Sequence, residues 1–493
     1  MNPTQAANEH LKRSGHEVLA QFASLLQIPN VTGHVGDLRR NSVEIADRFS
    51  ARGAAMEVIE LDGASPVVIG RLRTENPTAT VGVYVHYDGQ PVDPDAWTYP
   101  PFSAQLLDGS LHGGGRPIDL PAEADHIDPE WRIYARGASD DKTPLAALPA
   151  ALDALSSAGL TPTVDLVFLF EGEEESGSPN LERYMRELKT RLVADAWLLC
   201  DGPVHQSRLP LVSFGARGYS GFDLTFYGAE KEIHSGHYGN WVPNPAFELA
   251  RFLATCKDDS GRVLIDGFYD DTLPISNEDR AAMERLPDVS SQLQSDLGFG
   301  GPEVSDATYP ERLMLPSFNV RGIRAADVGD DARNVVPAQA TVSVDIRLAA
   351  GDDPDRMVDR VEAHLVRAGY VVLDRDPTAE ERRSHRRLAR IDRAVGYRAA
   401  RIPMASPLAE TLLDVCRRAG DGDVVALPTF GGSVPLYLFE EVLGSSVAIL
   451  PIANHDNNQH AADENLRVGN LWYGIHLWAN LLSTDLSGIR LTS

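Results

Sequence analysis

An α/β chain interrupted by an α+β segment is what this sequence predicts, and three observations predict it. Up to residue 213, short apolar runs that end abruptly in polar residues alternate with Ala/Leu-rich stretches of helical character. From residue 214 the runs change to alternation of apolar and polar residues. After Pro403 the first texture returns. Strands alternating with helices imply a sheet covered by helices, and strict alternation implies half-exposed antiparallel strands. The expected architecture is therefore one discontinuous domain, 1–213 and 398–493, with a mixed sheet flanked by helices, and an inserted α+β domain over 214–397.

In chain order, residues 8–27 place Leu11, Val18, Leu19, Phe22 and Leu25 on one helical face. The runs TVGVYVH (80–86), VDLVFLFE (164–171) and ADAWLLCD (194–201) suit strands buried on both faces. Between the first two lies a helix at 143–160 that Gly159 can end. In the insertion, 222–228 and 341–348 alternate, 257–316 is loop-rich, and 357–369 is an amphipathic helix. The eight arginines of 382–401 mark an exposed connection. Finally, 407–420 and 464–483 predict helices and 445–452 a strand.

Composition bounds the function. The 493 residues carry 45 basic and 71 acidic side chains, a formal charge of −26, which argues against nucleic acid or an anionic membrane surface as partner. At roughly 100–200 residues per domain, this length makes two or three domains. The 43% hydrophobic and 24% charged content is that of a globular chain. No run of about 18 apolar residues exists to span a bilayer. The polar N-terminus lacks the apolar stretch of a secretory signal, so a cytoplasmic location is expected. Cys200, Cys256 and Cys416 are too few and scattered for a disulfide framework or a thiolate zinc site.

Chemistry concentrates where the predicted strands stop. His86 and Asp88 end the first run, Asp140 and Asp141 open a helix, Glu173, Glu174 and Glu175 follow the second run, Asp201 ends the third, and His460 follows the fourth. Each has an ordinary reading taken singly: a loop hydrogen bond, a helix cap, a solvated charge run, a turn residue, a surface or core histidine. Together they fall at corresponding ends of predicted elements, where open α/β sheets place functional groups. Converging carboxylates repel unless cations join them; three carboxylates and a hydroxide balance two divalent ions. Imidazole and carboxylate donors suit zinc. Other hydrolase and nucleotide motifs fail: His16-Glu17 lacks the second histidine at Ala20, no G-x-S-x-G occurs, and the glycines at 113–115 and 298–301 fit no phosphate loop.

The ordered motifs HYDGQPVD, RGASDDKTP, FEGEEESGS, LLCDGP, EIHSGHYGN, NVVP, FGGSVP and QHAADEN resemble those of the dinuclear zinc metallopeptidase family, which includes carnosinase-type dipeptidases, glutamate carboxypeptidase, succinyl-diaminopimelate desuccinylase and aminoacylases. The resemblance runs from His86 to the C-terminal helix and implies that 214–397 is a lid or dimerisation domain on a catalytic domain. It implies that His86, Asp140 and Asp201 hold one metal ion and Asp140, Glu175 and His460 the other, with a cis Asp140–Asp141 peptide. Glu174 is then the general base and Asp88 the group that orients His86. His234, Asn334 and Arg347 act on the substrate from the inserted domain, His234 in a homodimer, and Gly432 and Ser433 cradle a terminal carboxylate. Two divalent ions per subunit follow, zinc first and manganese or cobalt as alternatives.

The activity implied is hydrolysis of an amide bond in a dipeptide or C-terminal amino-acid amide by metal-activated water. Removal of an acyl group from an N-acyl amino acid is the alternative, since it needs the same catalytic residues. A non-catalytic binding protein is a third reading, whose signature would be a lost ligand or base. Two departures from the family pattern stand out: Thr429-Phe430, where several animal dipeptidases carry Arg-Glu, and the insertion 113–131, a pocket rim or a surface loop.

Overall fold

The computed structural model describes residues 1–123, 125–304, 307–420, 422–432 and 434–489. An eight-stranded mixed sheet forms the larger layer, in the order Ala55–Ile59, Val67–Leu72, Asp165–Glu171, Thr80–His86, Ala196–Leu199, Ser446–Ile449, Leu211–Ser213 and Val425–Leu427. The four central strands are parallel, with Thr80 opposite Asp165 and His86 opposite Glu171, and with Ser446–Ile449 aligned on Ala196–Leu199. Their carboxyl ends therefore share one edge. All seven residues of Asp165–Glu171 are buried, as the continuous apolar run requires of a strand covered on both faces.

One face of this sheet packs against the helices Pro3–Leu26, Val35–Ser50, Thr143–Ser157, Pro407–Ala419 and Val468–Leu482, with Phe22, Phe49, Leu148, Leu412 and Trp478 in a single core. The other face packs against Leu181–Leu188 and the short helical turns at 436–443, around Tyr84, Trp197 and Phe439. The expected mixed sheet between helices is what forms.

A second sheet has five strands, in the order Ser317–Arg324, Gln339–Leu348, Gly218–Tyr227, Leu388–Arg393 and Val371–Leu373. The helices Pro245–Cys256 and Pro354–Arg367 cover one face through Leu249, Phe252, Met357 and Val361. The chain passes between the two sheets twice, at Gly215–Ala216 and Ala400–Arg401, and these passages pair antiparallel.

Two expectations change. The arginine-rich stretch 382–401 is not a plain connection: Leu388–Arg393 is an inner strand of the five-stranded sheet. Its buried Ala389 and Ile391 face the core, while Arg390 and Arg393 reach acids, Arg393 bonding Asp359 and Glu362 at 2.6 Å each. The charge run hid a strand because most of its arginines pair with carboxylates, while Arg382 donates to the Gly228 and Ala229 carbonyls. At the C-terminus, Asn465–Arg467 forms a short strand before the helix Val468–Leu482 begins. Asn465, Leu466 and Arg467 pair with Tyr134, Ile133 and Arg132, so tertiary pairing overrides local helix preference there.

Within the 113–131 insertion, Ile127 and Pro129 pack on two helices and Glu130 pairs with Arg208 at 3.2 Å. Ile127 lies 3.2 Å from the position a β-carbon on Gly15 would take, and Gly469 donates its N–H to Pro129 at 2.7 Å.

Candidate metal centre

The parallel register delivers His86 and the loops after Glu171, Leu199 and Ile449 to one place. His86 is fully buried, with Nε2 3.0 Å from Asp140 Oδ1 and Nδ1 3.4 Å from Asp88 Oδ1. Asp88, also fully buried, accepts the backbone N–H groups of Glu174 and Glu175 at 3.1 Å each. One carboxylate thus ties the histidine ring to the glutamate turn. The second oxygen of Asp140 lies 3.1 Å from His460 Nε2, which is in turn 3.3 Å from Glu175 Oε2. The Asp140–Asp141 peptide is cis.

Two groups of potential ligands result among the described residues: His86, Asp141 and Asp201, and Asp140, Glu175 and His460, each with its donor atoms within 4.8 Å of one another. The second group is the set implied by the resemblance. In the first, Asp141 stands with His86 and Asp201, while Asp140 also touches His86 and so meets both groups.

The electrostatics are those of acids crowded away from water. Burial pushes Glu174 up to about 8, with Asp201, Glu175 and Asp140 adding to the rise and His86 opposing it. Burial and the Asp140 carboxylate push Asp201 up to about 7. Burial and Asp201 hold Asp141 well above the usual carboxylate range. Burial acts the same way on Asp140, but hydrogen bonds to His460 and His86 outweigh it and hold that carboxyl below its ordinary value. The partners Asp140 and Glu175 raise His460 to about 10. His86 is likewise raised, burial being overcome by Asp140 and Asp88.

A metal fits this donor set on one direct observation. Asp141 Oδ2, Glu175 Oε1 and Asp201 Oδ1 are buried oxygens with no hydrogen-bond partner. Buried polar atoms are nearly always satisfied, and three orphaned oxygens in one cluster are accounted for by cations held between them.

Support for the cluster comes from residues to which the sequence assigned no role. Glu464 is fully buried and accepts Arg136 Nη1 at 2.6 Å, the N–H groups of Gly137, Ser139 and Asp140 at 3.2, 2.9 and 3.1 Å, and the Ser139 hydroxyl at 3.0 Å. It shapes the loop that presents Asp140. Gln90 Nε2 donates to Glu175 Oε2 at 2.8 Å. Both lie within quoted motifs, QHAADEN and HYDGQPVD, but only burial distinguishes them from loop residues.

Among the described residues, those expected to meet substrate belong to neither ligand group. His234 is exposed in a two-residue strand paired with Val335–Val336, and Ser235 donates its N–H to the Asn334 carbonyl at 2.9 Å. Among the described residues neither His234 nor Asn334 is hydrogen-bonded to the ligand groups. Arg347 lies on Gln339–Leu348, with Nε donating to Asp345 at 3.0 Å and its guanidinium 5.7 Å from the Tyr219 ring centre. Gly432 is exposed beside Phe430, and Ser433 lies outside the described residues.

The family model described as Peptidase family M20/M25/M40 matches residues 82–484. The chain belongs to this family. It is 26% identical over 492 residues to the Cys-Gly metallodipeptidase dug1 of Schizosaccharomyces pombe, covering 95% of this chain and 96% of that one. It is 24% identical to the Beta-Ala-His dipeptidase of Homo sapiens, covering 90% and 84% of the two. Among solved structures it resembles an M20 family metallo-carboxypeptidase from Sulfolobus solfataricus, with a TM-score of 0.77, 25% identity, and coverage of 95% and 99%. The expectation of a metallopeptidase accords with this membership, and both curated relatives of this M20/M25/M40 chain are dipeptidases by name. Among the described residues no helix is long and apolar enough to cross a membrane.

Proposed function

We propose that the protein hydrolyses dipeptides at a pair of divalent metal ions, zinc first among the candidates and manganese or cobalt next. The observation that carries this reading is the cluster of three unpartnered carboxylate oxygens beside His86, which ends a parallel strand, in a chain of a peptidase family. His86, Asp201 and Asp140, joined by Asp141, would hold one ion, and Asp140, Glu175 and His460 the other. When bound, the ions supply Lewis acidity for the scissile carbonyl and acidify the attacking water.

Glu174 takes the proton from that water and returns it to the leaving amine. Its turn is fixed by Asp88, which accepts the Glu174 N–H, and its burial among carboxylates raises its proton affinity toward the value a neutral-pH base needs. Asp88 also faces His86 Nδ1, which leaves Nε2 for the metal. His234 serves as the donor to the developing oxyanion: its Nδ1 accepts the Gly236 N–H at 3.1 Å, so the neutral ring carries its proton on Nε2. Arg347 and Asn334 hold the substrate, and the backbone at Gly432 cradles its carboxylate.

Residues 1–213 and 398–493 form the catalytic domain and 214–397 the lid that supplies His234, with the paired passages at Gly215–Ala216 and Ala400–Arg401 as the connection. His234 reaches the site in a homodimer. The strand Ser317–Arg324, an edge with Val320 45% and Ile323 60% exposed, is the face that pairs. A cytoplasmic location suits the three free, buried cysteines.

The test is a metal-supplemented screen of dipeptides and N-acyl amino acids, read by amine release. Turnover of dipeptides with at least one bound ion per chain is expected. Turnover of N-acetyl amino acids alone would assign the deacylase reading instead, and bound metal without any hydrolysis the binding-protein reading.

A further inference from the structure

Beyond the ligand groups, a cavity of about 560 Å³ opens where residues 283–290 and 308–313 of the insertion meet the strand-end loops 203–206 and 427–432. Its walls are apolar: Met283, Leu286, Val289 and Leu313 on one side, Leu427 and Phe430 on the other. It begins at Pro203, two residues after Asp201, which keeps it within about 7 Å of that ligand along the chain. Phe430 closes the approach from the turn: its Cζ lies 3.4 Å from where a β-carbon on Gly202 would stand. Gly431 and Gly432 line the cavity too, and Leu313 Cδ2 is 3.4 Å from the β-carbon position of Gly431.

No lysine or arginine lines the cavity among the described residues, and its charged groups are the exposed Glu284 and Asp288 at the rim. His205 and Tyr309 are the remaining titratable groups in the wall; burial lowers the proton affinity of His205, so it offers little positive charge near neutral pH, and a phenol supplies no cation. An acidic side chain entering here would meet carboxylates and no cation. A small one would leave apolar surface wet. A large apolar one would fill it.

We propose that this cavity receives the side chain of the substrate's C-terminal residue and selects a large apolar one, such as leucine, methionine or phenylalanine. The assignment to the C-terminal residue rests on the dipeptidase reading above: that residue's carboxylate and side chain branch from one carbon, and the turn proposed for the carboxylate is also a wall of the cavity. Specificity is then set by residues of two chain segments, Met283, Leu286 and Leu313 from the insertion and Phe430 from the glycine turn.

The experiment uses the full-length, metal-loaded protein with Ala-Gly, Ala-Leu, Ala-Phe, Ala-Asp and the reversed Leu-Ala, read as kcat/KM by amine release. One methylene in an apolar pocket is worth roughly 10–200-fold, so Ala-Leu and Ala-Phe should exceed Ala-Gly and Ala-Asp by about 100-fold or more. Leu286→Arg should lower the Ala-Leu to Ala-Asp ratio at least about 10-fold, since it replaces an apolar wall group with a cation. The wild-type panel alone decides the matter if that variant does not fold. Ala-Gly or Ala-Asp cleaved as fast as Ala-Leu would overturn the inference while leaving the dipeptidase reading intact. Leu-Ala preferred equally with Ala-Leu would overturn the assignment to the C-terminal side. No dipeptide cleaved at all, with metal bound, would overturn the dipeptidase reading and this inference with it.

Discussion

Replacing Glu464 with glutamine takes one negative charge from the centre of five hydrogen bonds. Its Oε1 accepts the Ser139 N–H and hydroxyl and the Asp140 N–H, while Oε2 accepts Arg136 Nη1 and the Gly137 N–H. A side-chain amide in this place turns one acceptor into a donor facing other donors, whichever way it is flipped. Arg136, only 2% exposed, then loses its carboxylate and keeps a contact with the Ala461 carbonyl at 3.3 Å and the Trp97 ring at 5.3 Å.

Breaking a buried pair by removing one partner costs about 3–5 kcal/mol, which sets the expected loss of stability in chemical denaturation. The more telling readout is metal affinity, because Asp140 stands at the end of this loop and Glu464 holds its N–H. Outer partners of metal ligands are worth about 10–100-fold in affinity, so competition with a chelating dye at a temperature where the variant is folded should show a loss of that size. Burial raises the Glu464 carboxyl and Arg136 opposes it; five donors around two oxygens leave both as acceptors. Near-normal metal affinity in a folded Glu464→Gln protein would refute the argument that this residue positions Asp140.

Glu174→Gln should keep its metal and lose at least ~10²-fold in turnover, as for a missing general base; near-normal rate means the base is elsewhere. His460→Ala should bind one fewer ion by elemental analysis, and full occupancy would remove it from the ligand set. The metal-free protein should lose thermal stability between pH 5.5 and 8.5, because Asp201 and Glu174 favour their protonated forms up to about 7 and 8 and His460 its charged form up to about 10. For all three the folded state binds the proton more tightly than the unfolded chain, so the stabilisation is complete at low pH and fades as pH rises through those values. Added divalent metal needs the same groups deprotonated and should reverse the trend; a metal-free melting temperature that is flat or rising would contradict these shifts. Ile323→Asp on the edge strand should shift the protein toward monomer in sedimentation and reduce turnover, whereas unchanged mass would locate any dimer contact on another face.

The residue types and the order of the motifs were legible in the sequence because they are local properties. A strand buried on both faces needs a continuous apolar run, and Val81–Val85 and Leu166–Phe170 supply one without reference to the rest of the chain. The abrupt end of each run in His, Asp or Glu then places the ligands at strand ends. Local pattern misled where partners came from far away. Leu388–Arg393 reads as a charged connection because the carboxylates that pair Arg393 lie on the helix Pro354–Arg367, and Asn465–Arg467 reads as helical because its strand partners are residues 132–134.

What only the tertiary structure decided is which acids meet which histidine. The parallel register that sets His86 beside Glu171, and the loop that carries His460 back to Asp140, depend on contacts between residues far apart in the chain. So do the place of Asp141 beside His86 and Asp201, the burial of Glu464, and the apolar cavity between two distant segments. A carboxylate's sequence neighbours do not reveal whether it is solvated or stripped of water. That is decided by what packs over it, and whether a stripped one calls for a metal is decided by the donors that packing brings to it.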